Sequence, residues 1–98
     1  MARRLRGTYT VLITPFDETG EKVDLAAMAD LVDWQIREGI HGLIPLGSTG
    51  EFLSLSDEEA EAVAATTIAA AKGRVPVLIG TGAEDTRECV RQIGRAHV

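Results

Sequence analysis

The stretch of this 98-residue chain best suited to chemistry is Gly47-Ser48-Thr49-Gly50-Glu51. Two glycines allow close backbone approach, and two adjacent hydroxyls with their amides present donors to a small carboxylate or phosphate. An ordinary strand-to-helix turn uses the same residues, and spacing alone leaves both readings open. No Gly-Lys-Ser/Thr follows, so the stretch is not a nucleotide-binding P-loop. A second loop of similar character is Gly80-Thr81-Gly82-Ala83, with Thr86 beyond it. The lone cysteine, Cys89, has no partner for a disulfide and no CxxC or His neighbour for a metal site.

These loops can cooperate only if the flanking elements bring them to one end of a sheet. Thr8 to Ile13 is rich in β-branched and aromatic residues and stops at Thr14-Pro15, which predicts a first strand. Asp24 is a good N-cap, and Leu25, Met28, Leu31, Val32 and Ile36 follow at helical spacing until Gly39. Gly42 to Leu46 is short and apolar, as expected of a strand buried on both faces, although Pro45 sits near its end. Ser56 and Glu59 make a capping box ahead of a stripe of Ala60, Val63, Ala64, Thr67, Ile68 and Ala71 that runs out at Lys72-Gly73. Val75 to Ile79 reads as a third strand, and Asp85 with Glu88 as the cap of a third helix starting near Thr86.

The order βαβαβα, with strands recurring about every 33 residues, implies an α/β fold with a parallel sheet. Both an open doubly wound sheet and a closed (β/α)8 barrel fit, and periodicity does not separate them. Three strands leave two edges unpaired, and a barrel of about 250 residues would need five more units. Residues 1–92 are therefore read as a partial domain. The last six, Ile93 to Val98, break the helical stripe and match a translated sequencing adapter, so 93–98 is read as a foreign tail, with a natural helix end as the alternative.

The composition, 45% hydrophobic and 26% charged, belongs with soluble globular proteins. A net charge of −5 argues against nucleic acid as a partner. No stretch is apolar enough to span a membrane, and the basic start at Arg3, Arg4 and Arg6 lacks the apolar run of a signal peptide, so a cytoplasmic protein is expected.

Taken with Thr14-Pro15-Phe16, the two glycine-rich loops make the chain resemble the start of the dihydrodipicolinate synthase and N-acetylneuraminate lyase family, in register from Gly7 to Gln92. That resemblance implies the N-terminal portion, about three βα units, of a (β/α)8 TIM barrel. It implies a Schiff-base class I aldolase or lyase, acting without a cofactor or metal on pyruvate or another 2-oxo acid and an aldehyde, usually as a homotetramer. Ser48 and Thr49 would hold the 2-oxo acid carboxylate, and Ser48 would also pass protons in a relay with a tyrosine. Glu51 would accept bonds from loop amides, or else serve as a surface carboxylate.

The covalent step needs a lysine amine made partly neutral by burial or a cationic neighbour. Lys72 ends a helix and Lys22 lies beside Glu18 and Glu21, so neither fits, and the resemblance places both that lysine and the relay tyrosine beyond residue 98. Tyr9 and His41 belong to the opposite, stability face of a barrel. Ser48 stands where most of the family's synthases have threonine, a pattern shared with neuraminate lyases and sugar-acid aldolases. Asp57, Ala60 and Glu84 replace the histidines and asparagine of lysine-inhibited members, and only Glu88 matches, which argues against lysine feedback. Dihydrodipicolinate synthase activity, which condenses pyruvate with aspartate semialdehyde in lysine biosynthesis, leads as the family's commonest. Sugar-acid lyase or dehydratase activity, a non-catalytic anion-binding module, and a truncated reading frame without function are the alternatives.

Overall fold

Side chains alternate between the two faces of a strand, and along the first strand that alternation is sharp: Leu12 is 1% exposed and Ile13 55%. In the computed structural model, which describes residues 4–83 and 85–96, the odd positions Val11 and Ile13 face outward, whereas Thr10, Leu12 and Thr14 point toward the helices. Strand β1 (Tyr9–Val11) pairs in parallel with β2 (Gly42–Ile44) in the register Tyr9 with Gly42, Thr10 with Leu43 and Val11 with Ile44. One further bond, from the Leu12 amide to the Ile44 carbonyl at 3.0 Å, extends the ladder. Both strands are shorter than the Thr8–Ile13 and Gly42–Leu46 expected from the sequence. Leu46 enters the left-handed region at φ +63 and turns the chain out of the sheet.

The third segment also lies parallel to β2 but is not a continuous strand. Leu43 donates to the Pro76 carbonyl at 3.0 Å, Leu78 donates to the Leu43 carbonyl at 2.9 Å, and Gly80 donates to the Pro45 carbonyl at 3.0 Å, with a single bridge between Leu43 and Val77. Proline has no N–H to give, so the ladder starts at the Pro76 carbonyl and goes no further back. The strand expected over Val75–Ile79 is thus corrected to a short parallel edge.

Helices α1 (Leu25–Arg37) and α2 (Asp57–Ala71) lie side by side on one face of this sheet. Asp24 caps α1 by accepting from the Ala27 amide at 2.9 Å, and Gly39 at φ +97 ends it. At α2 the capping box is complete: the Ser56 hydroxyl accepts from the Glu59 amide and the Glu59 carboxylate accepts from the Ser56 amide. Met28, Val32 and Val63 bury fully against Leu12 and Leu43, which makes one core of sheet and helices. Ile68, expected within the buried stripe, is 52% exposed and turns toward helix α3 (Thr86–Ala96). At α3 only half of the expected box forms. Asp85 accepts from the Glu88 amide at 2.8 Å, while the Glu88 carboxylate pairs with Arg91.

The helix α3 continues to Ala96, and Arg3, Glu84, His97 and Val98 lie outside the described residues. Among those described, no helix is long and apolar enough to cross a membrane.

Asp33 joins the two helices. It accepts from Arg37 Nε at 2.8 Å along α1 and from Arg74 Nη2 at 3.0 Å, and Arg74 also donates to the Ala70 and Ala71 carbonyls at the end of α2. The hydrogen bonds from Arg74 and Arg37 hold the Asp33 carboxyl below its usual value. A carboxylate whose pKa is lower folded than unfolded contributes stability that is present above its unfolded value and lost as pH falls through the folded one. Asp33→Asn is therefore expected to be less stable than the parent at neutral pH by a small margin, as befits an exposed pair, with the difference closing in the acid range as pH falls below the ordinary aspartate value. Urea unfolding followed by circular dichroism across that range checks it. A difference that stays constant with pH would assign the loss to packing.

Candidate active site

Parallel pairing puts the C-terminal ends of β1, β2 and the third segment on one side of the molecule, so Thr14, the loop after Leu46 and the loop after Ile79 emerge together. The middle loop is a succession of tight turns. The Gly50 amide donates to the Gly47 carbonyl at 3.0 Å, Glu51 to Ser48 at 3.0 Å and Ser54 to Glu51 at 2.9 Å, the last entering a 3-10 turn over Phe52–Ser54. Ser48 and Thr49 occupy the two central positions of the first turn, and both are exposed. Among the described residues, neither hydroxyl has a hydrogen-bond partner.

The loop is held from both sides. From β1, the Thr14 hydroxyl donates to the Gly50 carbonyl at 2.7 Å in a buried position. A Cβ on Gly50 would lie 3.0 Å from the Leu12 carbonyl oxygen and 3.2 Å from Thr14 Oγ1, a tight approach that any larger residue would have to push apart by a few tenths of an ångström. From the third segment, Gly80 packs so tightly that a Cβ there would lie 2.2 Å from the Leu46 carbonyl oxygen. Leu46 at φ +63 and Glu51 at φ +56 bracket the loop in left-handed conformations that cost a non-glycine residue about 1 to 2 kcal/mol each.

The structure brings Ser48 and Thr49 together at the turn apex. The Glu51 side chain makes no cap bond to the 3-10 turn and is exposed, which fits the surface-carboxylate reading of the two expected for it. Its contribution is made by the backbone. Lys22, in the first loop, and Lys72, at the left-handed end of α2, are both exposed. Tyr9 and His41 lie at the other end of the strands. His41 Nδ1 accepts from the Thr8 amide at 2.8 Å, and the Tyr9 ring lies across Gly42. An apolar groove of about 290 Å³ runs between α2 and α3, and its Ala60, Ala64, Ile68 and Ile79 walls suit helix packing rather than a small anion.

Sequence reasoning missed Thr14 and Gly80 as loop anchors. Thr14 carried a readable signal: it shares the parity of Leu12 yet is polar, and a polar residue on the core face needs a partner.

Residues 4–97 match the Dihydrodipicolinate synthetase family. The chain is 51% identical over 87 residues to the 4-hydroxy-tetrahydrodipicolinate synthase of Nitrobacter hamburgensis, covering 89% of this chain and 29% of that protein. It is 50% identical over 88 residues to the same enzyme of Thermomicrobium roseum, covering 90% and 28%. Among solved structures it superimposes on the dihydrodipicolinate synthase of Acinetobacter baumannii complexed with pyruvate, with a TM-score of 0.90, 34% identity, and coverage of 96% of this chain and 32% of that one. It also superimposes on the N-acetylneuraminate lyase of Mycoplasma synoviae, with a TM-score of 0.82, 29% identity, and coverage of 93% and 32%. The chain thus spans under a third of the length of these relatives.

Gly80→Ala tests the packing of the third loop on the second. Its methyl would collide with a backbone oxygen that cannot swing away, so a stability loss of about 1 to 3 kcal/mol is expected. Gly82→Ala is the control, because its Cβ would meet only the Phe52 ring at 3.8 Å. Urea unfolding of the two variants against the parent should separate them, and equal midpoints would show that the third loop yields freely.

Proposed function

The chain belongs to the dihydrodipicolinate synthetase family, and we propose that it supplies the 2-oxo acid carboxylate site of a Schiff-base-forming lyase on a (β/α)8 barrel. One observation supports this above the rest. Two adjacent hydroxyls sit exposed at the apex of a turn that is anchored on both flanks, at the C-terminal ends of parallel strands, where barrel enzymes bind their ligands.

The substrate of this reading is pyruvate, as in the pyruvate complex of the Acinetobacter baumannii relative. Ser48 and Thr49, with their amides, give its carboxylate charge-assisted hydrogen bonds and fix the direction of the keto carbon. An amine then attacks that carbon, water leaves, and an imine forms. Neither Lys22 nor Lys72 is the amine, since both are exposed in water, so it comes from outside these 98 residues, as does the tyrosine that shares a proton relay with Ser48. The names of the curated relatives favour aspartate semialdehyde as the second substrate and 4-hydroxy-tetrahydrodipicolinate synthesis as the reaction. Ser48 and the likeness to the Mycoplasma synoviae lyase support a sugar-acid lyase as the second reading. The reading extends to a cytoplasmic homotetramer, as is usual in the family.

Two measurements on the complete enzyme test the division of labour. Thr49→Val is expected to raise KM for pyruvate about ten- to a hundred-fold, because a bound anion loses one donor, worth about 1.5 to 3 kcal/mol. Ser48→Ala is expected to lower kcat as well, by about 10² to 10⁴, the usual cost of losing a proton-transfer group. Steady-state kinetics on folded variants read both, and a Ser48→Ala enzyme with kcat intact would reduce Ser48 to a binding residue.

Borohydride trapping of the 98-residue chain with pyruvate tests the lysines separately. No adduct is expected at Lys22 or Lys72 above an acetylated control, and stable labelling of either would refute their exclusion.

A further inference from the structure

We infer that Thr14 is a positioning residue for 2-oxo acid recognition, acting through the Gly50 carbonyl without touching the substrate, an inference that rests on the carboxylate site proposed for Ser48 and Thr49. Thr14 is 4% exposed and stands at the exit of β1 on the face directed at the helices. Its hydroxyl donates at 2.7 Å to the Gly50 carbonyl, a bond that spans 36 residues of sequence and joins the first βα loop to the second.

The Gly50 amide closes the turn whose apex is Ser48-Thr49 by donating to the Gly47 carbonyl, so the same residue ends the turn and carries the carbonyl that Thr14 holds, and a Cβ built on it would lie 3.0 Å from the Leu12 carbonyl oxygen and 3.2 Å from Thr14 Oγ1. The contact is therefore tight, buried and directional. With the hydroxyl gone, the Gly50 carbonyl would be left without its donor in a dry site, and the turn would relax outward to find water. Both apex hydroxyls would move with it. A displacement of about 1 Å in a group that orients substrate is enough to cost on the order of a hundred-fold in rate.

The experiment uses the complete enzyme that contains this chain, with pyruvate as the varied substrate. Thr14→Val keeps the shape and removes the donor. It is expected to raise KM for pyruvate about tenfold and to lower kcat, because Ser48 moves with the loop, while KM for the aldehyde stays within about twofold. Thr14→Ser keeps the donor and is expected to restore the pyruvate KM to within about twofold of the parent. A merely structural threonine would reduce the active fraction of both variants and leave the pyruvate KM alone. If Thr14→Val does not fold, Thr14→Cys decides, since its thiol is a weaker donor of similar size: a raised pyruvate KM supports the role and an unchanged one overturns it. A Thr14→Val enzyme with parental KM for pyruvate overturns this inference and leaves the carboxylate site standing. A parent enzyme whose rate does not depend on pyruvate overturns the carboxylate site itself.

Discussion

The contact of Leu12 and Leu43 with Met28, Val32 and Val63 fixes nearly everything else in the chain. Leu12 and Leu43 come from neighbouring parallel strands, and burying both against α1 and α2 sets which face of each strand meets the helices. A slip of one residue would turn those leucines into the open and drive Val11 and Ile13 into the helices. Register then determines where the strands end. Thr14 falls beside Gly50 and Gly80 beside Leu46 because the hydrophobic core permits no other alignment. The polar loop thus inherits its geometry from an apolar contact several residues away.

The opposite face of the same sheet carries Val11, Ile13 and Leu78 in exposed positions. Their alternation with buried Leu12 and with Val77, which packs against the core, means that both faces of the sheet are apolar, the pattern of a parallel sheet covered on both sides. This explains why Gly42 to Leu46 and Val75 to Ile79 read as unbroken apolar runs in the sequence, with no polar alternation to mark an outer face. It also agrees with a chain that spans under a third of its relatives' length.

Helix boundaries were legible because caps are local. Asp24, Ser56 and Glu59 act within three residues of themselves, and each makes the bond its spacing announced. Strand lengths were less so. Nothing near Val75 says whether its neighbours complete the ladder, and the effect of Pro76 appears only when β2 lies alongside. Ile68 fits the helical stripe of α2, yet its exposure depends on where α3 packs. The loop residues Ser48 and Thr49 were found by type and spacing. Thr14 and Gly80 were not assigned to the loop, because their partners are 36 and 34 residues away, and only the register brings them together.

The loop combines exposure with rigidity, two properties that ordinarily oppose each other. An exposed turn of small polar residues is normally among the more mobile parts of a protein. Here the apex hydroxyls face water, while the residues on either side are confined by backbone contacts that are tight at Gly50 and admit no side chain at Gly80. Two left-handed residues, Leu46 and Glu51, hold conformations they would leave if released, so the confinement must outweigh their strain. In the carboxylate site proposed for Ser48 and Thr49, this arrangement would place the ordering cost in the folding of the loop, before substrate arrives. On that proposal the donors would meet the carboxylate already aimed, and less of the binding energy would be lost to fixing the loop.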